Sequence, residues 1–483
     1  MVPDPIFMRR LLKYGAVALV ALMLAAIAAG VWARGRLRAS LPVLDGEVRL
    51  AGLEAPVAVD RDALGIPTVR AANRADVARA TGFLHAQDRY FQMDLSRRRA
   101  AGELAALVGP RALALDREIR IHRFRAAARL AVGLLPALDR AVVEAYTSGV
   151  NAGLAALGER PFEYLLLGQP PVPWRAEDTV LVVLSMFITL QDTDGSYEST
   201  LATMSDLLPA EMFAFMAPPG TDWDAPVVGG AMPMPPIPGS EVYNARERRR
   251  GRAPVDARRR AIDPLEDDAA ARGSNNFAVA GRLTADGAAL VANDMHLAIR
   301  VPNTWYRASW EWDGHRMTGV TLPGVPAMVV GSNTHVAWGF TNTYADWSDI
   351  VLLEVDPQRP DSYRTPDGPR EFETYDEIIE VAGQEPQQTQ VRWTIWGPVL
   401  GEDWRGRPRA YRWVAHSPEA LARTLLPIEQ ARTIAARFRG LMDPHQKAVC
   451  DLWHGAALLA SGQEQSAKAR LARAYESESS ASE

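Results

Sequence analysis

Gly273-Ser274-Asn275-Asn276-Phe277 places a serine directly after the least hindered residue and before a pair of amides. If the Gly273–Ser274 bond is cut, Ser274 carries a free α-amine and a hydroxyl on one residue. A serine hydroxyl is a weak nucleophile, and an adjacent amine can take its proton. The pKa of a free α-amine, about 7.7–8.0, lies near the operating pH that suits a general base. One residue would then be both nucleophile and base. Gly-Ser-Asn alone is too common to carry this reading.

The flanking residues add weight. Arg272 to Gly281 reads RGSNNFAVAG, and the chain runs on to Leu290-Val291-Ala292-Asn293-Asp294-Met295-His296-Leu297. Trp305-Tyr306 and Leu322-Pro323-Gly324-Val325-Pro326 follow. This series resembles the start of the β chain in the penicillin acylase family of N-terminal-nucleophile amidohydrolases, ungapped from Ser274 to Asp349. The resemblance implies an α+β fold of stacked αββα layers with a mostly helical α-chain region. It also implies self-cleavage at Gly273–Ser274 and hydrolysis of a linear amide, in a β-lactam side chain or an N-acyl-homoserine lactone.

At 483 residues, 48% hydrophobic and net charge −5, the chain has the composition of an ordinary globular protein. Its single cysteine, Cys450, excludes an intrachain disulfide and a cysteine-based metal cluster. Arg9, Arg10 and Lys13 precede an uncharged run over 14–33, and Arg34, Arg36 and Arg38 follow it. Such a segment reads as an export signal or a single membrane anchor within 1–40, with a buried soluble helix as the plainer alternative. The catalytic body is then periplasmic or otherwise extracytoplasmic.

Residues 41–230 form the expected α-chain region. Residues 46–60 alternate like short strands, and helical spacing follows over 76–99, 97–109, 123–135 and 139–157. The run after Trp174 is apolar on all sides from Val180 to Leu190, which marks a buried helix. His85-Ala86-Gln87-Asp88-Arg89 and Gln92-Met93-Asp94 resemble a recurrent α-chain pattern; helical salt bridges and packing between the chains are the expected use. Residues 231–273 turn Pro-rich, then basic, then acidic, and read as a spacer peptide between the two chains. The basic stretch lacks interleaved aromatics, which argues against a nucleic-acid partner. Strands are expected over 276–281, 288–292, 305–312, 329–331, 336–340 and 350–354.

The resemblance also assigns a site. His296, 22 residues after Ser274, falls where relatives keep a Gln or His beside the nucleophile, and is expected to orient Ser274 and relay its proton. A core histidine is the plainer reading. The main-chain N–H of Asn342 is the expected oxyanion donor. Asp346 and Asp349, the Ser348 carbonyl and Glu198 are the expected ligands of a structural Ca²⁺, whose hard charge favours several oxygens. Met186, Leu190, Leu297, Val329 and Val330 are expected to line the acyl pocket, although core packing would use the same residue types. Thr189 stands where relatives carry a basic residue.

The resemblance covers roughly 46–446 and then stops. Two of the three lysines and the only cysteine lie in 447–483, so a frameshift or early stop is expected there. The family's second oxyanion donor, an Asn side chain, would then be missing, at a cost of about 10²–10³ in rate. The competing expectation is an uncleaved, membrane-tethered precursor that binds or does nothing. Neither a Gly-x-Ser-x-Gly elbow nor a His-Glu-x-x-His motif occurs in the sequence, which leaves other hydrolase classes unsupported.

Overall fold

The computed structural model describes residues 5–221, 230, 232–244, 273–297, 299–342 and 346–424, with side chains from residue 13. Most of the expected spacer, residues 425–446 and the whole divergent tail at 447–483 lie outside the described residues.

The first element, α1 (Pro5–Ala39), is exposed along its described side chains apart from the half-buried Arg36, so it is not a buried soluble helix. Its Lys13–Ala39 portion is long and apolar enough to cross a membrane. The alternation expected over 46–60 yields one strand, β1 (Ala58–Arg61), antiparallel to β2 (Pro67–Ala71). Then comes the longest body helix, α2 (Arg74–Ala101), whose N-cap Asn73 accepts from the Asp76 N–H. The helix expected over 97–109 does not continue from it. Gly102 takes the left-handed conformation at φ 64° and caps α2, so the segment restarts as α3 (Ala105–Val108).

Seven helices follow: α4 (Leu113–Arg120), α5 (Phe124–Leu134), α6 (Ala137–Ala155), α7 (Phe162–Leu167), α8 (Ala176–Leu190), α9 (Ser196–Leu207) and α10 (Ala210–Met216). Beyond the spacer the chain is almost all strand: β3 (Gly273–Val279), β4 (Leu290–His296), β5 (Tyr306–Trp312), β6 (His315–Thr321), β7 (Met328–Ser332) and β8 (Ala337–Trp338). It continues through β9 (Ser348–Leu352), β10 (Val355–Asp356), β11 (Arg359–Thr365), β12 (Gly368–Glu371), β13 (Glu373–Ile379), β14 (Gln387–Thr394), β15 (Gly397–Glu402) and β16 (Pro408–Trp413), and α11 (Pro418–Thr424) closes the described part.

The class is α+β. A six-stranded sheet runs β1-β2-β5-β6-β7-β8, and a five-stranded sheet runs β13-β14-β15-β16-β9. The parallel pairing of β2 with β5 stitches the helical region to the strands that follow Ser274. Helix α2 lies between two cores. Val77, Ala80 and Leu84 pack with Tyr306, Trp310, Met328 and Trp338 beneath the first sheet. Ala78, Ala86, Tyr90 and Met93 pack with α5, α6 and α8. The apolar run of α8 is buried as its composition requires.

Two features hold α2 in place. The backbones of α2 and α6 touch: a β-carbon on Gly149 would sit 1.9 Å from the Arg79 carbonyl oxygen, and one on Gly82 would sit 2.3 Å from that of Tyr146. The second is a buried charge network. Asp94, fully buried, accepts from Arg97 Nε (2.7 Å), Arg98 Nε (2.9 Å) and the Tyr164 hydroxyl (2.6 Å). Arg97 also reaches the buried Asp178, which accepts from Arg125 as well. Buried charges are tolerated when paired and hydrogen-bonded in this way.

Candidate active site

Ser274 is the second residue of β3, and β3 pairs with β4 as a two-stranded antiparallel ribbon. The serine is half-buried, and its hydroxyl donates to the Gly273 carbonyl oxygen at 2.5 Å. The nucleophile candidate therefore already touches the peptide unit whose cleavage would expose it.

Side chains alternate across a ribbon, and directly paired residues share a face. Gly273 pairs with His296 and Asn275 with Asp294, while Ser274 pairs with Met295 and Asn276 with Asn293. The contacts agree: His296 Nε2 lies 3.0 Å from Asp294 Oδ2 and 3.2 Å from Asn275 Nδ2. His296 thus occupies the face opposite the Ser274 side chain, partly exposed, and is not a core histidine. Its ring instead backs Gly273, because a β-carbon there would stand 3.3 Å from His296 Nδ1. That tight approach is a reason for glycine at 273.

The Ser274 face is occupied by Asn293, which the sequence reading passed over. Its amide makes both hydrogen bonds of a peptide pair with Phe340: Nδ2 donates to the carbonyl oxygen (2.9 Å) and Oδ1 accepts the N–H (3.1 Å). Nδ2 also donates to the Asn275 carbonyl oxygen at 3.1 Å. One side chain so fastens the Ser274 ribbon to the segment leaving β8, two residues before Asn342. Asn342 is half-buried, and its side chain donates to the Leu190 carbonyl oxygen at 3.4 Å, which turns this segment toward the end of α8.

The acidic candidates gather elsewhere, where α9 meets β9. Tyr411 on β16 donates to the Asp192 carbonyl oxygen (2.6 Å), and Trp413 donates to Gln191 Oε1 (3.0 Å). These bonds hold the loop before α9 against the five-stranded sheet. Burial pushes the Glu198 carboxyl above its ordinary value, and the charges of Asp349, Asp346 and Asp192 push it the same way. The four acids therefore feel one another across the junction. Asp192 was not anticipated, although Asp192-Thr193-Asp194-Gly195 is a visible acidic turn; its carboxylate accepts from the N–H groups of Asp194 and Tyr197. Oxygen-only donors and mutual repulsion suit a hard cation in kind, yet among the described residues no three such groups converge into a ready-made metal cage.

The penicillin amidase profile matches residues 56–446. The chain belongs to the penicillin amidase family. It is 33% identical over 388 residues to the penicillin acylase 2 proenzyme of Pseudomonas sp. (strain SE83), covering 77% of this chain and 47% of that protein. It is 30% identical over 414 residues to the acyl-homoserine lactone acylase QuiP of Pseudomonas aeruginosa, covering 82% of this chain and 46% of that one. The chain thus spans about half the length of these relatives. A thermostable penicillin G acylase from Alcaligenes faecalis in tetragonal form aligns at 27% identity and a TM-score of 0.32, over 37% of this chain and 98% of that one.

In this member of the penicillin amidase family the five pocket candidates separate from the core. Met186, Leu190, Leu297, Val329 and Val330 are all half-buried, and none belongs to the packed clusters or is seated against them. Thr189 accepts from Arg99 at 2.8 Å, so a cation stands beside α8 although α8 itself supplies none. The α-chain pattern works chiefly across the chain. Asp88 accepts from Tyr306 (2.7 Å) and Arg61 (2.8 Å), and Arg89 donates to the Asn303 carbonyl oxygen (2.8 Å). His85 lies between Tyr146 (2.8 Å) and Thr321 (3.0 Å). Along the helix itself, Asp94 pairs with Arg97 and Arg98, and Arg89 donates to Gln92 Oε1 at 3.1 Å.

Proposed function

We propose that this chain is the precursor of an exported amidohydrolase that matures by cutting its own Gly273–Ser274 bond. The supporting observation is the Ser274 hydroxyl held 2.5 Å from the Gly273 carbonyl oxygen, in a member of the penicillin amidase family. Ser274 Oγ attacks the Gly273 carbonyl carbon; the peptide C–N bond breaks, and the proton moves to the departing nitrogen. Water then hydrolyses the resulting ester, leaving a Gly273 carboxylate and a free Ser274 amine. The two chains stay together through the β2–β5 pairing and the contacts of Asp88 and Arg89.

In the mature site Ser274 attacks the carbonyl of a linear amide while its own amine accepts the hydroxyl proton. The Asn342 main-chain N–H faces the developing oxyanion. The protonated amine then gives its proton to the leaving amine, and water releases the acid from the acyl-enzyme. His296, beside the position vacated by Gly273, orients the new amine rather than the hydroxyl. The half-buried Met186, Leu190, Leu297, Val329 and Val330 receive an apolar acyl group, as in a β-lactam side chain or an N-acyl-homoserine lactone. The strands after Ser274 and the flanking helices form the inner and outer layers of an αββα stack. Glu198, Asp346, Asp349 and the Ser348 carbonyl would hold a structural Ca²⁺ once drawn together around it, and α1 tethers the body outside the cytoplasm.

The test is to purify the full chain and its Ser274→Ala variant, determine their masses and N-termini, and assay amine release from a penicillin and an N-acyl-homoserine lactone. The expected result is two chains, one beginning at Ser274, with activity absent from the variant. A wild-type chain that remains whole and matches the variant in every assay would sink the proposal.

A further inference from the structure

We infer that α7 is a second, peripheral membrane contact, seated in the bilayer surface beside the point where α1 leaves it. The inference rests on α1 being a retained anchor. At the body end of α1, Arg36 lies over the Trp32 ring, 5.3 Å from its centre, and Trp32 is 64% exposed. An exposed tryptophan followed by arginines is the pattern of a membrane–water interface. Arg36 Nε donates to Glu159 Oε2 at 2.6 Å, and the Glu159 N–H donates to the Ala39 carbonyl oxygen at 3.0 Å. A β-carbon on Gly158 would stand 3.2 Å from that same oxygen. The helix end is therefore clamped to residues 158–159 with no slack, which brings that corner of the body to headgroup depth.

Helix α7 begins three residues later. Tyr164 is fully buried and bonded to Asp94, and Arg160 donates to the Gln169 carbonyl oxygen at 2.8 Å, strapping the two ends of the loop. That anchorage turns Phe162, Leu166 and Leu167 outward at 46%, 79% and 38% exposure. Phe162 and Leu166 are four residues apart and share a helix face. Leu41 follows the anchor directly and is 62% exposed. An apolar edge fixed beside an interfacial tryptophan and arginines has the character of a surface-lying membrane segment.

The test uses the full chain in phosphatidylethanolamine–phosphatidylglycerol vesicles, with Cys450→Ser so that one introduced cysteine carries a nitroxide label. Leu166→Cys is compared with Leu138→Cys, which is 83% exposed at the opposite end of α6, roughly 28 Å away by helix length. Expected is a severalfold preference of the 166 label for collisions with oxygen over a water-soluble nickel chelate, with the reverse at 138. Phe162→Asp with a label at Leu166→Cys is expected to lose that preference while the chain stays in the vesicles. If the purified protein begins beyond Ala39, the anchor and the contact both fail. If α1 is retained but the 166 label is as water-exposed as the 138 label, the contact alone is overturned.

Discussion

Helix α2 and the Ser274 ribbon are built by opposite means. The helix is buried on most of its surface, presses its backbone against α6 and neutralises its charges inside the core. The ribbon is two strands, largely exposed, with Phe277 at 62% and Leu290 at 56%. An isolated two-stranded ribbon is marginal on its own in water. Among the described residues its side-chain tie to the larger sheet is Asn293. The candidate nucleophile thus sits on the less secured element, and the rigid element aligns the strands around it.

This contrast can be broken at both ends. Removing the carboxylate of Asp94 (Asp94→Ala) leaves Arg97 short of a partner in a buried site, and global unfolding free energy is expected to fall by about 3–5 kcal/mol, measured by denaturant titration. Removing the amide of Asn293 (Asn293→Ala) should act locally. Three hydrogen bonds at about 1 kcal/mol each would be lost, seen as faster amide exchange over 273–296 with a much smaller change in the global midpoint. Equal loosening of α2 would contradict the separation. If Ser274 matures as proposed, the same variant slows scission, and Asn293→Gln does not restore it because the longer amide misses Phe340.

Acid probes the helical half selectively. Burial pushes His85 down to about 3 and His122 down to about 4. An unfolded chain, with histidine near 6.5, takes up protons first as pH falls. Stability from these neutral imidazoles is therefore present above about 6.5 and is lost on descending toward about 4 and about 3. Melting curves across that window should show a slope that His85→Asn reduces. The ribbon's exchange rates, corrected for intrinsic pH dependence, should not follow it. A smaller effect is expected from added Ca²⁺, which should raise the melting temperature by a few degrees and lose that effect in Glu198→Gln with Asp349→Asn. No shift in the unaltered chain would leave the acidic junction without an ion.

Much of the scaffold was legible in the sequence because it obeys one periodicity at a time. Helix α8 announces itself by unbroken apolar composition and α2 by its spacing over 76–99, whereas the stop at Gly102 was hidden by helical spacing that runs on over 97–109. Strand β6 escaped because His315 and Arg316 open it, yet its signal lies just before them. Asp313 and Gly314 take φ 45° and 72°, the tight hairpin turn that such a pair favours. At the site, residue type and resemblance singled out Ser274, Glu198, Asp346 and Asp349 as candidates, but not Asp192. The facing was not legible: which side of the ribbon His296 or Asn293 occupies depends on register, which emerges only when β3 meets β4.

The bare seam between α2 and α6 has a consequence for how this chain can diverge. Because Gly149 and Gly82 each face a carbonyl with no space for one added carbon, α6 is locked in rotation as well as in distance. A single residue inserted within α6 ahead of Gly149 would turn Gly149 about 100° away from the seam and put Ser148 in its place. Length changes are therefore excluded from that stretch of α6, and Gly153 is under the same constraint, since a β-carbon there would sit 2.3 Å from the Phe83 carbonyl oxygen.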